Sequence, residues 1–373
     1  MATMTTATDS ATTPATGEMP SSGLASVDSL RPVLAVIPQD CFERSTARGF
    51  RTIGRAVAIY AVAMAALFVA RAWWLVAIGW LAVGLAIAGL FVLGHDAAHG
   101  ALFDSARRNR RVGRWLMVPS LHVYESWVIG HNRIHHGHTL RQGMDFVWHP
   151  VTVEEYRSFG AVRRLRHRVE WSMFGAGLYY ARAVWWDKMV RFDPPDRSRA
   201  AVRRDERFVF AIAASVAAGL FAIGWSGLGT GGGVVGAGWL VVKLLIVPTF
   251  VFMWTIGFAV YVHHIAPDVK WWPRRTWTRY HGQMEGTTVL RIGRLWNLFF
   301  YNIFVHTPHH VDVRIPWYHL PRAAAAIEAS FPVVDRKLRL RDYVAHTRAC
   351  KLYDFDAQRW VGYPTRAAVS TAK

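Results

Sequence analysis

Three clusters of histidines are the residues in this sequence whose types and spacing could do chemistry. The last cluster places three imidazoles within five residues, and two more clusters stand upstream: His95, His99, His131, His135, His136, His306, His309 and His310. Neutral imidazole is the commonest protein ligand for first-row metals. We expect the clusters to close around one metal centre, with the rest of the chain bringing them together.

The number of imidazoles indicates more than one metal ion. A structural zinc takes four ligands and a catalytic zinc three, so eight or nine exceed a mononuclear site. Of the adjacent pair His263 and His264, only one can easily face a metal, and we expect His264. Soluble di-iron sites use carboxylates, but only Asp96, Asp145 and Asp312 stand near the clusters. The count predicts a histidine-rich metal pair; iron fits, although spacing alone does not identify it.

Helical spacing predicts how the clusters present their rings. His95 and His99, four residues apart, share one face of a helix, although such a pair could also be purely structural. His131 and His135 are expected to share a face while His136 points elsewhere, and the last cluster repeats this geometry. The remaining isolated histidines are expected to be hydrogen-bonded or solvated: His122, His138, His149, His167, His281, His319 and His346. Of these, His138 and His319 lie nearest to the clusters and are possible ligand-orienting partners.

The composition favours a membrane protein. The chain has 373 residues, of which 52% are apolar, yet its formal net charge is +19. Membrane proteins combine these features when their basic residues collect on one side. Nucleic-acid binding is the other common source of such a charge, but the basic residues flank apolar runs and no nucleic-acid-binding motif is present. The two cysteines indicate neither a disulfide framework nor a cysteine metal site.

Four apolar runs predict membrane spans, at residues 56–70, 72–94, 208–225 and 241–262. The central segment 95–206 is rich in arginine, whereas the connectors within each pair of runs carry almost no positive charge. The positive-inside rule then places both termini and all three clusters in the cytoplasm. The predicted fold is an all-α integral membrane protein, multi-pass in a bacterial-type inner membrane. Its four transmembrane helices form two hairpins, with a cytoplasmic helical cap holding the metal site.

The chain divides into three parts. Residues 1–32 are rich in Ala, Thr, Ser and Pro and are expected to be disordered. Residues 33–345 form the membrane domain, and residues 346–373 form a C-terminal tail. Within the domain, residues 115–130 and 171–186 are expected to be helices lying in the membrane interface, and residues 295–305 are too short to cross.

The order of the clusters resembles the membrane fatty acid desaturases, and most closely their acyl-lipid delta-12 (omega-6) group. The resemblance runs from about residue 35 to 325. It is carried by H-x-x-x-H at His95, H-x-x-x-H-H at His131, a later histidine after the fourth run, and H-x-x-H-H at His306, with supporting stretches after Ile37, Asp145, His264 and His309. The second cluster has three residues between its first two histidines, where this group often has two.

This resemblance implies a non-haem di-iron enzyme that uses O2 and two electrons from a ferredoxin-like or cytochrome b5-like donor. The substrate would be an acyl-lipid or other acyl chain lying in an apolar tunnel, and the product a cis double bond. By the same resemblance, nine histidines hold the two irons: His95, His99, His131, His135, His136, His264, His306, His309 and His310.

Two other functions remain open from the sequence. A di-iron hydroxylase, ketolase or acetylenase acting on a lipid chain would carry the same clusters and differ only after the first hydrogen abstraction. A metal-binding membrane transporter or sensor would need polar residues inside its spans. The four apolar runs are nearly free of them, which disfavours transport.

Overall fold

The structure, a computed structural model, describes residues 29–229 and 231–364. The predicted disorder of residues 1–28 lies outside the described residues, as do residues 365–373. The first helix begins at Arg31, two residues before the predicted domain boundary. The α-helices, numbered α1 to α15 in chain order, are Arg31–Val36, Thr46–Val69, Trp73–Ala98, Ala106–Met117, Tyr124–Trp127, Val153–Ser158, Ala161–Glu170, Ala176–Tyr179, Asp196–Trp225, Gly233–Val241, Val247–His264, Asn297–Phe300, His306–Val311, Leu320–Glu328 and Leu340–Ala349.

Several α-helices continue as wider π-helical turns, in which hydrogen bonds join residues five apart. The four π-helical segments are Val128–His135 after α5, Tyr180–Val190 after α8, Val242–Ile246 between α10 and α11, and the separate segment His281–Glu285. Short 3₁₀ turns cover Gln39–Phe42 and Val118–Ser120.

Four helices are long and apolar enough to cross a membrane, which confirms the number of predicted spans. We name them spans 1 to 4: Thr46–Val69, Trp73–Ala98, Asp196–Trp225 and Gly233–His264. Span 1 begins ten residues before the apolar run because the Ser45 hydroxyl accepts a hydrogen bond from the Arg48 backbone N–H and starts the helix there. Span 4 is longer than predicted because its helix already begins at Gly233, eight residues before the predicted run, and ends at His264.

Span 2 is the centre of the molecule. In its most apolar 18-residue window 61% of residues are buried, against 17% in span 1 and 11% in span 3. It packs against spans 1 and 4, while span 3 packs against the first part of span 4. A Cβ on Gly84 would clash with Val251 Cγ1, so glycine permits the close approach of spans 2 and 4. Spans 1 and 3 keep most of their apolar surface exposed, as is typical of helices that contact lipid.

Lys243 is buried inside span 4 and closes the end of span 1. Its Nζ donates hydrogen bonds to the carbonyl oxygens of Phe68, at 3.0 Å, and Ala70, at 2.6 Å. The last carbonyls of a helix have no partner within the helix, and an unpaired buried polar group is costly. The lysine therefore ties span 4 to the C-terminal end of span 1.

Replacing Lys243 with Met should destabilise the protein by on the order of 2–4 kcal/mol, because hydrogen bonds to a charged group are lost and buried carbonyls become unpaired. Thermal unfolding of the detergent-solubilised protein measures this loss. Lys270→Met, at an exposed lysine, is the matched control and should leave the unfolding temperature unchanged. Equal unfolding temperatures for the two variants would contradict the bridging role of Lys243.

Of the two segments predicted to be interfacial helices, the first is interrupted and the second is helical over most of its length. Over residues 115–130 the helix is interrupted: α4 ends at Met117, a 3₁₀ turn containing Pro119 follows, and Leu121 has a left-handed φ of 58° before α5 begins at Tyr124. Proline has no backbone N–H to donate to the preceding turn, which favours an interruption here. Over residues 171–186 helical structure begins at Ala176 and extends to Val190.

The C-terminal part of the chain contains two small β-sheets. Two short parallel strands, β1 (Val289–Arg291) and β2 (Asp335–Lys337), pair with each other, and an antiparallel pair follows, β3 (Leu352–Asp354) and β4 (Arg359–Val361). The predicted boundary at residue 345 falls inside α15. Residues beyond it are packed rather than extended: the buried Tyr353 hydroxyl accepts a hydrogen bond from the Trp271 N–H at 2.9 Å.

Candidate metal centre

Nine histidine side chains converge at the ends of spans 2 and 4. They are contributed by span 2 and the residue after it, by the segment that follows α5, by the last residue of span 4, and by α13. Each is at least nine-tenths buried: His95, His99, His131, His135, His136, His264, His306, His309 and His310. All nine histidines that the sequence predicted as iron ligands are thus in one place.

Five of these histidines form a first group around the end of span 2. One ligand atom from each of the five lies within 4.8 Å of those of the others: His95, His99, His131, His136 and His309. The Nε2 atom of His95 lies 2.9 Å from that of His131 and 3.3 Å from that of His99. The i, i+4 pair predicted in the first cluster therefore faces one point.

The remaining four histidines form a second group around the end of span 4. Ligand atoms of His135, His264 and His310 lie within 4.8 Å of one another. The Nε2 atom of His306 lies 3.2 Å from that of His264 and 3.0 Å from that of His310. His306 and His310 are an i, i+4 pair on α13, as their spacing predicted.

The second cluster does not follow the predicted pairing. We expected His131 and His135 to share a face, but His131 lies in the first group and His135 in the second. The reason is the π-helical turn: the His136 N–H donates to the His131 carbonyl, five residues back, at 3.0 Å. This wider turn brings the Nε2 atoms of His131 and His136 to 3.1 Å. It also absorbs the additional residue that distinguishes this cluster from the H-x-x-H-H pattern.

The proton positions in the second group leave its Nε2 atoms unprotonated. His264 Nδ1 donates to the Gly286 carbonyl at 2.9 Å, and His306 Nδ1 donates to the Ile303 carbonyl at 3.2 Å. A neutral imidazole carries only one proton, so both Nε2 atoms present lone pairs, 3.2 Å apart. Two lone pairs cannot hydrogen-bond to each other, and a cation between them would satisfy both.

The separations also fit metal coordination. Two imidazole nitrogens bound at about 2.1 Å from a metal, at right angles, are about 3.0 Å apart. The Nε2 separations within the two groups are 2.9–3.3 Å. The donor set and its geometry therefore fit one metal ion in each group.

Burial keeps several of these imidazoles neutral. Burial, reinforced by the neighbouring imidazoles, lowers the pKa of His131, His136 and His310 well below the ordinary value of 6.5. The charged form of a base is disfavoured in an environment that excludes water. The rings are therefore available as neutral ligands at pH 7.

Carboxylate and amide groups orient the rings of these histidines. Asp145 accepts a hydrogen bond from His135 Nδ1 at 3.0 Å, and Asp96 lies 3.3 Å from His95 Nδ1. Gln283 Oε1 accepts from His310 Nδ1 at 2.7 Å, and its Nε2 donates to the His136 carbonyl. Such partners fix the tautomer and angle of metal-ligating histidines.

Sequence reasoning missed one of these residues, and two that it named as possible orienting partners are not among them. Gln283 carries no sequence signal, since its segment lacks the clusters' spacing. His138 and His319 were named as possible orienting partners, but neither contacts a ligand ring: His138 Nδ1 is 3.3 Å from an Arg141 nitrogen, and the ring of His319 packs against Tyr318.

His263 lies beside the centre but outside both groups. Its ring stacks on that of His306 with centroids 3.9 Å apart, and neither ring nitrogen has a hydrogen-bond partner in the described part of the chain. The expected choice of His264 over its neighbour agrees with this placement, although ligation itself is still a prediction.

An apolar cavity reaches the centre from within the membrane bundle. Histidines of both groups line this cavity: His95, His131, His135, His264 and His306. Its other walls are almost entirely apolar: Phe91, Val92, Trp127, Phe146, Val147, Tyr180, Val184, Ile256, Ala259, Val260, His263 and Ile303. Its volume is about 50 Å³, room for only a few water molecules. A longer apolar guest would have to displace lining side chains.

A polar cleft reaches the same centre from another direction. Its volume is about 430 Å³, and His136 and His310 lie at its base. Arg31 and Arg279, both exposed, stand at its rim. The centre therefore has one apolar and one positively charged approach.

His122 is a buried histidine away from the ligands. Its Nδ1 donates to the Ser120 carbonyl at 2.8 Å, and its Nε2 accepts from the Tyr180 hydroxyl at 2.9 Å. Burial lowers the pKa of His122 to about 4. This agrees with the expectation that it is hydrogen-bonded rather than a ligand.

The His122 imidazole should make stability depend on pH. The unfolded chain, with a histidine pKa near 6.5, binds the proton more readily than the folded chain. The folded state therefore has its full stability above pH 6.5 and loses on the order of 3 kcal/mol from this group as pH falls to about 4. Unfolding temperatures of wild type and His122→Asn should converge as pH falls. A constant difference between pH 7 and pH 4 would contradict this.

The chain is similar to proteins of one known enzyme family. The family model described as fatty acid desaturase matches residues 71–340. The chain is 26% identical to the sn-1 oleoyl-lipid 12-desaturase of Synechocystis sp., over 87% of this chain and 89% of that protein. It is 27% identical to the protein of the same name from Anabaena variabilis, over 90% and 91%. It is 28% identical to the chloroplastic omega-6 fatty acid desaturase of Brassica napus, over 81% and 65%.

The family match confirms the resemblance drawn from the histidine clusters. It covers more than half of the chain and includes all nine converging histidines. The four apolar helices agree with a family of membrane enzymes. The chain belongs to the fatty acid desaturase family and is an oxidoreductase of that family.

Proposed function

We propose that this protein is a di-iron acyl-lipid desaturase of the delta-12/omega-6 type, which introduces a cis double bond into an acyl chain. The observation that carries the proposal is the meeting of nine imidazoles, in two groups, at the inner end of an apolar cavity. The names of the relatives support the acyl-lipid substrate and the double-bond position.

The nine histidines would hold two irons, which when bound supply O2 activation. The first group would hold one ion and the second group the other, with Asp145 and Gln283 fixing ring orientation. Overall, O2, two electrons and two protons take two hydrogens from adjacent methylenes and leave two water molecules. The apolar cavity would exclude water and hold the methylenes beside the centre, after lining side chains such as Val184 and Ile256 move.

The electrons would enter through the polar cleft. His136 and His310 line its base, and the positively charged rim would suit an acidic donor of the ferredoxin-like or cytochrome b5-like type. We place this face and both termini in the cytoplasm by the positive-inside rule, with spans 1–2 and spans 3–4 as two membrane hairpins. The bilayer supplies the lipid substrate laterally.

The test is the fatty acid profile of a host that lacks polyunsaturated lipids and expresses this chain. Gas chromatography with mass spectrometry should show a second cis double bond in oleoyl chains. Accumulation of a hydroxy, keto or acetylenic fatty acid would show that the enzyme is a hydroxylase, ketolase or acetylenase instead of a desaturase. An unchanged profile, with the protein inserted, iron-loaded and supplied with a compatible donor, would overturn the proposal.

A further inference from the structure

A third cavity, of about 500 Å³, lies beside the apolar one and contains no metal-ligand histidine. It is formed by α7, by the helical segment Ala176–Val190, and by the loop after the second histidine cluster. Its lining is strongly polar, unlike that of its neighbour, and includes Arg163, Arg166, Arg182 and Lys188. Neither electron entry nor the bound acyl chain uses it.

The lining has an excess of unpaired positive charge. Its four cations face three carboxylates: Glu170 and Asp187 pair with Arg182, and Asp145 accepts a hydrogen bond from His135 Nδ1. The remaining cations have no acidic partner in the described part of the chain. Arg163 lies over the Phe159 ring at 3.7 Å, Lys188 lies over the Phe146 ring at 5.2 Å, and Arg166 is exposed.

A buried imidazole in the same lining has an unused nitrogen. His167 is 7% exposed, and its Nδ1 is 3.0 Å from the Tyr363 hydroxyl. Its Nε2 is buried and has no hydrogen-bond partner within the described residues. Burial and the surrounding cations lower the pKa of His167 to about 4, so the ring is neutral. When Tyr363 donates to Nδ1, Nε2 carries the proton and can donate it to an oxygen ligand.

Helix α7 places this cavity at the depth of lipid head groups. Val162, Leu165 and Val169 follow one another at helical spacing and are 83%, 64% and 41% exposed. An exposed apolar stripe on a helix that is otherwise rich in arginine is typical of a helix lying in the membrane interface. Arg163 and His167 are on the adjacent face, which turns toward the cavity.

The cavity adjoins the apolar one through a shared wall. Phe146 lines both, and consecutive residues of one helix line opposite sides: Ala183 the polar cavity and Val184 the apolar cavity. The Tyr179 hydroxyl, beside the polar cavity, donates to the Phe146 carbonyl at 3.0 Å. For one molecule with a polar head and an apolar chain to occupy both, the Phe146 side chain in this wall must move.

We propose that the cavity lined by Arg163, Arg166, His167 and Lys188 binds the phosphate of a membrane phospholipid whose acyl chain enters the apolar cavity. Guanidinium and ammonium groups at a membrane surface recognise phosphate oxygens. This inference rests on the proposed function and adds the head-group class of the substrate. It sets a phosphate-bearing lipid apart from a neutral sugar lipid and from a soluble thioester.

Binding of defined lipids to the purified full-length protein tests this. Native mass spectrometry would follow titration with dioleoyl-phosphatidylglycerol or with monogalactosyl-dioleoylglycerol. Wild type should bind the phospholipid at least tenfold more tightly. The double variant Arg166→Gln, Lys188→Gln should lose that preference, whereas Arg107→Gln, at an exposed arginine on α4, should keep it. Equal affinity of wild type for both lipids, or an unchanged preference in the double variant, would overturn the proposal.

Two competitors separate the sources of phosphate. Neither glycerol 3-phosphate nor oleoyl-coenzyme A should displace the phospholipid at concentrations equal to its own. Displacement by the first would show a free-phosphate site, and displacement by the second a thioester site; either result overturns the lipid assignment. If the double variant unfolds at a lower temperature than wild type, Arg163→Gln replaces it, with the same expected loss.

This experiment and the fatty acid profile fail independently. Lipid binding is measured without turnover, so a preference for phospholipid could hold in a protein that forms no double bond, and only the proposed function would then fall. Conversely, double bonds formed by a protein without head-group preference would leave the proposed function and remove this inference.

Discussion

Replacing His310 with Ala should abolish double-bond formation and lower the iron content of the purified protein, while leaving membrane insertion intact. Its Nε2 lies 3.0 Å from that of His306 in the second group, and its Nδ1 is held by Gln283. Removing the ring removes one ligand and leaves the Gln283 oxygen without this donor. Iron per polypeptide and fatty acid composition measure the two effects.

His319→Ala is the matched control, since this histidine stands nine residues further on and belongs to neither group. It should retain iron and activity. Full turnover of the His310 variant would show that its ring is not needed for the metal centre. The same substitution at His99 should give the same result through the first group.

Replacing Asp145 with Asn should lower iron affinity by about 10–100-fold, the usual effect of losing a group that orients a metal ligand. The carboxylate accepts three hydrogen bonds, from His135 Nδ1 and from the backbone N–H groups of Leu140 and Val147. An amide has one acceptor oxygen, so at least one buried donor loses its partner, which costs about 1–3 kcal/mol. Iron retained during titration with a chelator measures the change.

Asp312→Asn provides the comparison for this second prediction. Asp312 is also buried and stands two residues from His310, but it accepts from Arg314 rather than from an imidazole. Its substitution should leave iron affinity within about threefold of wild type. Equal losses in the two variants would mean that buried charge, and not the orientation of His135, governs iron binding.

The convergence of the histidines could be predicted from sequence because helical spacing and chemistry agree. His95 and His99, like His306 and His310, are four residues apart on α-helices and face one point. A cluster of this many neutral imidazoles is typical of metal coordination. The four apolar helices were predictable for a similar reason, since a length of apolar chain sufficient to cross the bilayer has few other uses.

The partition of ligands between the two groups could not be predicted in the second cluster. Its pairing depends on a π-helical turn, which has no sequence signature and replaces the α-helical period assumed for His131 and His135. The role of Gln283 and the polar cavity beside α7 could not be predicted from the sequence for another reason. Their partners come from segments far apart in the chain, so no local spacing connects His167 with Lys188, or Gln283 with His310.

The iron content of purified, active protein tests the central claim most directly. Nine imidazoles in two groups should retain two iron ions per polypeptide, and specific activity should rise in proportion to iron as metal-depleted protein is reloaded. Protein that forms double bonds at full rate with no stoichiometric iron would contradict the account.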